Sequence, residues 1–453
     1  MKRPKKKPTF WLLFLMMLLL IHRCLTLSRR AQLSTASKLR HRSALYPVSV
    51  DPITWGHCDI LKRASNLFDS LVLGIGANPI KTCAFSPQER QSLSSAALAA
   101  LHLPPGSNVT VQCFDGLTAE YAYVFHPTFL FFIPCFFIIF LNVSFYQGFS
   151  VILRGLRTVA DLEDELLLHA VQNQLKPALE TVLLPCKPHL AQCSSTIVRS
   201  LVKEGGNAAP YAPVVVKEAS ERRLLNRTLV GVVGSIASGK SSLCARLVEA
   251  LRQAQGDPVH SISLDRAGHY VLSGEATAPC FAHARALVAE AFGVPVEADG
   301  SVSRPKLAAI AFSHPSRLQQ LSQIMRQPIA SRLYELMGKQ QGVFVLEGAT
   351  LVEGGWGSLV NNNLVVVDAH PDVRLRRLMQ RPGHSKEEAL RRIGVQMDSQ
   401  ARRQAIESRI QQDGWGRSEW VLTDDGPPPD VAPIAARIAR LHANPLPWLQ
   451  PQF

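Results

Sequence analysis

No C-x-x-C pair occurs among the nine cysteines of this 453-residue chain, and no His/Cys cluster has the spacing of zinc ligands. That scatter argues against a disulfide framework and a structural metal, and for reduced thiols. Acidic residues are missing from positions 1–50, which hold eleven Lys or Arg. The net charge of +14 is therefore largely an N-terminal surplus: beyond residue 50, 38 basic residues face 35 acidic ones. A nucleic-acid-binding surface spread over the whole molecule is excluded by that distribution. No internal repeat is present, and no N-K-x-D guanine motif follows the glycine-rich loop described below, which argues against a GTPase. What remains is a chain long enough for two or three domains, 47% hydrophobic and so able to build ordinary cores.

Two stretches stand apart from that globular composition. "KRPKKK" followed by "FWLLFLMMLLLI" is a basic n-region and an apolar h-region, short of the roughly 20 residues a spanning helix needs. The Arg- and Ser-rich, acid-free run after it has the composition of an organelle transit peptide. We expect residues 1–43 to be a targeting segment for a mitochondrion or plastid, or a membrane anchor through residues 10–21. The alternative is a start codon placed upstream of a cytosolic enzyme. The second stretch, Tyr123 to Phe149, holds nine of the 19 phenylalanines. A span there would cut a soluble α/β domain in half, so an insertion or a retained intron is expected ahead of a membrane helix at 123–149.

"RTLVGVVGSIASGKSSLCARLVEAL" reads as a β-rich run, a glycine turn and a helix with apolar residues at helical spacing. Within it, Gly234-x-x-x-x-Gly239-Lys240-Ser241 fits a P-loop in its required strand-to-helix setting. Backbone N–H groups must wrap triphosphate oxygens there, and glycines let the backbone approach that closely. Lys240 supplies a point charge for the β- and γ-phosphates and Ser241 a hydroxyl for Mg²⁺ carried by the nucleotide. Downstream, "HSISLDRAGH" is another strand leading to an acidic residue, Asp265, placed to take the proton of an attacking hydroxyl or, more plainly, to cap a helix. "VFVLEGATLVEGGW" leads to Glu347 and Glu353. Arg377, Arg381 and Arg392 are candidates for a lid over the transferring phosphoryl group, or for a solvated basic helix face.

From 227 to 443 the run "GSIASGKSS", "SLDRAGH", "DGSVSRPKLAAIAF", "LEGATLVEGGW", "RLRRLMQR" and "EEALRRIGVQMDS" resembles dephospho-coenzyme A kinase. The resemblance implies that Asp265 is the base for a ribose 3′-hydroxyl, and that Gly234 and Ala237, Ser238, Gly239, Lys240, Ser241 and Ser242 hold ATP. It implies further that Arg304 and Arg381 contact substrate or phosphates. Ser263, Gln327 and Asp424 stand where the family usually has Asp, His and Asn.

The N-terminal half carries a different phosphate loop. "ALYPVSVDPITWGHCDILKRASNLFDSLVLGIGANP" is strand, loop, amphipathic helix and buried strand, the beginning of a Rossmann-like βαβ unit. Thr54-x-Gly56-His57 opens that helix, so His57 sits beside free N–H groups at a positive helix end, where it either caps the helix or steadies charge on a phosphate. Lys81 follows the second strand, Arg154 and Arg157 follow another, and Ser194, Ser195 and Thr196 mark a helix start. Groups at successive strand ends converge on one crevice in such folds.

Across about residues 44–210 this order, with "FSPQER", "CFDGLTAEYA", "VILRGLRTVADLEDE" and "CSSTIVRSLVKE", resembles the bacterial type of phosphopantetheine adenylyltransferase. By that resemblance His57 and Ser49 handle the ATP phosphates, Lys81 and Arg154 hold phosphopantetheine, Thr118 joins the substrate-binding set, and Val50, Gly155, Leu156, Arg157, Glu165, Ser194, Ser195 and Thr196 bind ATP. Val48 and Val50 replace the Gly and Phe of the family's "YPGTFDP".

The expected architecture is α/β throughout: a Rossmann-like nucleotidyltransferase domain (44–215) followed by a P-loop kinase domain (227–445), both with parallel sheets and flanking helices. A linker is expected at 216–226. The expected function is the last two steps of coenzyme A synthesis, with ATP as substrate, Mg²⁺ as cofactor, small-molecule partners and no nucleic acid. The alternative keeps the kinase alone, with the N-terminal domain as a nucleotide-binding scaffold.

Overall fold

The computed structural model describes residues 42–76, 82–114, 149–177, 179–311, 313–380 and 385–443. Lys81, Thr118, Arg381, the segment 1–41 and all of the Phe-rich block except Phe149 lie outside them. Among the described residues no helix is long and apolar enough to cross a membrane.

The first sheet is built from β1 (Ser43–Val48), β2 (Ser70–Gly76), β3 (Val109–Phe114), β4 (Val151–Leu156) and β5 (Glu180–Pro185), in the order β3-β2-β1-β4-β5. All four pairings are parallel, with Tyr46 opposite Leu73 and Leu45 opposite Ile152. Parallel strands need crossovers, supplied by α1 (Trp55–Ala64), α2 (Pro87–Ala99) and α3 (Val159–Leu175), and α4 (Ser195–Lys203) follows β5. Local chemistry starts these helices where they start: Ser86 accepts from the Glu89 N–H ahead of Pro87, and Ser194 accepts from the Ile197 N–H. Strand order reverses beside β1, so the loops after β1 and β4 open one crevice.

The second sheet runs β10-β9-β6-β8-β7, again wholly parallel, from β6 (Arg227–Gly234), β7 (Val259–Ser263), β8 (Gly342–Glu347), β9 (Asn363–Asp368) and β10 (Arg417–Leu422). Its central strand β6 is buried along its whole length, as expected of a strand covered on both faces. After α5 (Val214–Leu225), the covering helices are α6 (Lys240–Ala254), α7 (Leu264–Val271), α8 (Pro279–Phe292), α9 (Arg304–Ala311), α10 (Pro315–Met337), α11 (Pro371–Met379), α12 (Lys386–Gly394), α13 (Ser399–Asp413) and α14 (Ala432–Ala443). One apolar core lies between the sheet and α7, α8 and α10, another between the sheet and α6 and α14.

The segment expected as a linker, 216–226, is instead nearly all of helix α5 (Val214–Leu225), which ends at Asn226 in the left-handed conformation. Lys217, Glu218, Glu221 and Arg222 are all buried in it. The charges are tolerated because the second domain supplies partners: Lys217 Nζ donates to Asn361 Oδ1 at 2.6 Å, and Trp415 Nε1 donates to Glu218 Oε2 at 2.5 Å. The two sheets are therefore joined through a buried helix.

Candidate active sites

The N-terminal crevice is assembled by the turn after β1. Val48 ends that strand without a positive φ, so a β-branched side chain is accommodated there, whereas Val50 has φ 39° and is buried. A β-branched residue in left-handed backbone is uncommon and costs free energy that the surroundings must offset. Those surroundings hold the turn firmly. Arg90 Nη1 donates to the Ser49 carbonyl at 2.6 Å, and the Asp51 carboxylate accepts from the Ala84 and Phe85 N–H groups at 2.9 and 3.0 Å. Arg199 closes on Asp51 from α4 at 3.2 Å, and Ser195 Oγ donates to the Pro52 carbonyl at 2.7 Å. Asp51, Arg90 and Arg199 lie inside the stretches "YPVSVDP", "FSPQER" and "CSSTIVRSLVKE", but their role in holding this turn is not legible from those stretches.

His57 lies one turn into α1. Its Nδ1 accepts from the Thr54 N–H at 3.1 Å and lies 2.9 Å from the Thr54 hydroxyl. The ring proton therefore belongs on Nε2, leaving a donor for an anion. Burial, then the nearby Arg157 guanidinium, pushes the His57 pKa down to about 4, so the ring is neutral at pH 7. Thr54 and His57 thus engage one another across the first turn of α1, which fixes the imidazole.

Arg154 is brought to the same crevice, but its Nε pairs with Glu165 at 3.1 Å. Burial pulls the Arg154 pKa down and raises that of Glu165, each opposed by the other's charge. The two were expected to hold different substrates; they are partners of one another. Gly155 is closely packed: a Cβ there would lie 3.0 Å from the Tyr46 hydroxyl and 3.3 Å from Ile60, so those side chains would have to give slightly. Arg157 is tied to Asp161, 3.3 Å away, at the half-exposed start of α3.

The second site lies above β6. Gly234 has φ 155°, and a Cβ on it would meet the Val367 carbonyl oxygen at 2.1 Å, so no side chain fits. Ala237 at φ 60° and Gly239 at φ 90° continue the loop in left-handed backbone, and the Ile236 N–H donates to Gln396 Oε1 at 2.8 Å. Lys240 Nζ donates to the Ser235 carbonyl at 2.9 Å, and burial lowers its pKa against the opposing charges of Asp265, Glu347 and Glu353. Ser241 Oγ donates to Glu347 Oε1 at 2.5 Å.

Asp265 stands in the first turn of α7 and, with Ser241 and Glu347, lines a cavity of about 940 Å³. It is not the helix cap: Ser263 is, accepting from the Arg266 N–H at 3.4 Å. Burial, then the charge of Arg304, pulls the His269 pKa down against the opposing charge of Asp265.

Of the three arginines named above as lid candidates, Arg377 and Arg392 lie among the described residues. Arg377 Nη1 donates to the Ala237 carbonyl at 3.3 Å and to Thr423 Oγ1 at 3.1 Å, and Thr423 donates to the Ser238 carbonyl at 2.7 Å. It buttresses the phosphate loop. Arg374 does the same at the Ile236 carbonyl, 3.2 Å away, while Arg392 is paired with Glu388 on its own helix at 2.7 Å. Ser242 is exposed beyond the loop.

Known proteins divide at the same place as the two sheets. Residues 45–201 match the cytidylyltransferase-like family model and residues 228–416 the dephospho-CoA kinase model. A phosphopantetheine adenylyltransferase of Caldanaerobacter subterraneus is 35% identical over 177 residues, covering 39% of this chain and 94% of that protein. One from Synechococcus is 36% identical over 180 residues, covering 40% and 96%. This chain belongs to the phosphopantetheine adenylyltransferase family. Its C-terminal half is a dephospho-CoA kinase domain, so the chain is a fusion of the two. The crevice around His57 lies within the region matched by the adenylyltransferases, and the cavity reaching Asp265 within the region matched by the dephospho-CoA kinase model.

Proposed function

We propose that the chain performs two consecutive transfers that end in coenzyme A: adenylyl transfer from ATP to 4′-phosphopantetheine, then phosphorylation of the dephospho-CoA 3′-hydroxyl. The observation that carries this is the presence, in one chain and in order, of two parallel sheets matched by the adenylyltransferase relatives and by the dephospho-CoA kinase model.

In the first reaction a phosphate oxygen of phosphopantetheine attacks the α-phosphorus of ATP and pyrophosphate leaves. The neutral His57 ring offers its Nε2–H to an α-phosphate oxygen without accepting a proton, a role supported by its Nδ1 being occupied by Thr54. Arg157 adds positive charge beside it, and Ser195 holds the turn from which the helix N–H groups point. In the second reaction the ribose 3′-oxygen attacks the γ-phosphorus. Asp265 takes the hydroxyl proton and ADP leaves. Lys240 is placed to leave the Ser235 carbonyl for the phosphates. The Ser241 hydroxyl and Glu347 carboxylate are hard oxygen donors that suit Mg²⁺. Mg²⁺, if held there, would supply positive charge to the phosphates.

Incubating the purified chain with 4′-phosphopantetheine and ATP tests the reading. Equal amounts of pyrophosphate, ADP and coenzyme A are expected; phosphorylation of supplied dephospho-CoA without pyrophosphate release would leave only the kinase. The acid-free composition of residues 1–43 supports an organelle address, tested by locating a fluorescent fusion of that segment.

A further inference from the structure

The cavity of about 940 Å³ that reaches Asp265 does not stop there. It runs along the whole of β7, from Ser241, Asp265 and Glu347 at one end to Arg252 and Gln340 at the other. A five-residue strand spans roughly 16 Å, far more than a ribose hydroxyl needs.

The strand itself is open. Among the described residues β7 is the edge of its sheet and pairs only with β8. The Val343 N–H donates to the Pro258 carbonyl at 2.9 Å, which sets the alternation: peptide groups at 258, 260 and 262 turn to β8, and those of Val259 and Ser261 turn outward. Ser261 is exposed, and its outward N–H and carbonyl face the cavity. The cleft has two walls. On the α6 side lies the exposed Ala245; on the other, Arg332 is fixed with its guanidinium carbon 3.7 Å from the centre of the Tyr270 ring and its Nη1 donating to Glu335. His260 stacks on Phe344 with ring centres 4.4 Å apart.

We propose that this cleft is the subsite for the pantetheine arm of the kinase acceptor, bound in extended form as an added strand on the free edge of β7. The inference rests on the kinase reading above. The arm is a flexible chain with two secondary amides, and an amide-bearing chain is the class of ligand that a bare strand edge binds through its main chain. The volume lies within the roughly 300–1,000 Å³ of small-molecule sites. Continuity with Asp265 gives the arm a fixed origin: with the 3′-hydroxyl at that carboxylate, the rest of the acceptor has this cleft to follow.

The test compares two acceptors, dephospho-CoA and AMP, which offers a ribose 3′-hydroxyl without the arm. Ser261→Pro removes one outward donor while keeping the groups that face β8, since an edge strand tolerates proline on its open side. Ala245→Trp blocks the cleft from a helix surface and covers the case in which proline disturbs the strand. Each variant is expected to raise the KM for dephospho-CoA about three- to tenfold, with kcat retained, and to lower the preference for dephospho-CoA over AMP by the same factor. An unchanged preference in both variants, or equal kcat/KM for the two acceptors in the wild type, overturns the cleft and leaves the kinase reading standing. A wild type that phosphorylates neither acceptor overturns the kinase reading, and the cleft with it.

Discussion

Lys217 of helix α5 and Asn361, 144 residues later, form a 2.6 Å hydrogen bond in the interior between the two domains. The same ammonium reaches Glu221 and the Leu359 carbonyl, at 3.0 and 3.3 Å, and Asn361 Nδ2 donates back to Glu221 at 2.9 Å. Nearby, Arg223 pairs with Glu89 of the first domain, while Glu218 takes bonds from Trp415 and Asn363 of the second. Breaking a buried pair by removing one member strands the other charge, at a cost of about 3–5 kcal/mol. Lys217→Met is therefore expected to lower the urea midpoint and to weaken both activities together on mild denaturation. Lys217→Met with Glu221→Leu, which removes both charges, should recover most of the loss. Equal instability of the single and double variants would show that the helix matters for packing and not for charge.

That relationship also shows what local sequence hides. "VVVKEASERRLL" has the composition of a solvated, polar helix, and nothing within it says that Asn361, Asn363 and Trp415 wait 140 to 200 residues away to receive its charges. The phosphate loop was legible because its chemistry is local: β-rich run, Gly234, Gly239, Lys240 and helix are consecutive. His57 was legible for the same reason, its partner Thr54 lying three residues away. Arg90 on Ser49, Arg199 on Asp51 and Arg377 on Ala237 were not, because each grips a backbone carbonyl or a carboxylate of a distant turn. A basic helix such as 371–379 reads alike whether its arginines face water, a substrate or a neighbouring loop.

His57 provides a pH test. Its folded pKa is lowered to about 4 from 6.5, so as pH falls the unfolded chain takes up this proton first. The stability it contributes is complete above about pH 6.5 and is lost as pH falls toward 4. Wild-type protein should thus lose more stability between pH 7 and pH 5 than His57→Asn. The ring should titrate near 4 by NMR; a midpoint near 6.5 would contradict a neutral imidazole imposed by burial and Arg157.

Lys240 and Asp265 separate the two reactions. Lys240→Ala and Asp265→Asn should each lower kinase turnover by about 10²–10⁴-fold, the scale of a lost acid–base or charge contribution. Adenylyl transfer uses neither, so dephospho-CoA should accumulate when 4′-phosphopantetheine and ATP are supplied. Conversely, His57→Ala should suppress pyrophosphate release while supplied dephospho-CoA is still converted. Chromatography of the reaction products reads all three variants, and loss of both activities from Asp265→Asn would contradict independent sites.

Two glycines of the phosphate loop distinguish steric need from backbone need. Both Gly234 and Gly239 have positive φ, 155° and 90°. A Cβ on Gly234 would sit 2.1 Å from the Val367 carbonyl and 2.7 Å from Ser238 Oγ, so β6 and β9 would have to part at their ends. On Gly239 the nearest atom would be Thr423 Oγ1 at 3.5 Å, ordinary contact, leaving only the left-handed backbone to resist, about 1–2 kcal/mol. Gly239→Ala should accordingly fold with a modest fall in unfolding temperature and a raised KM for ATP in the kinase reaction. Gly234→Ala should unfold at a markedly lower temperature, because its clash is with main chain that belongs to the central sheet and has no rotamer by which to yield. Comparable unfolding temperatures for the two variants would mean that β9 moves aside more readily than a parallel strand buried on both faces should.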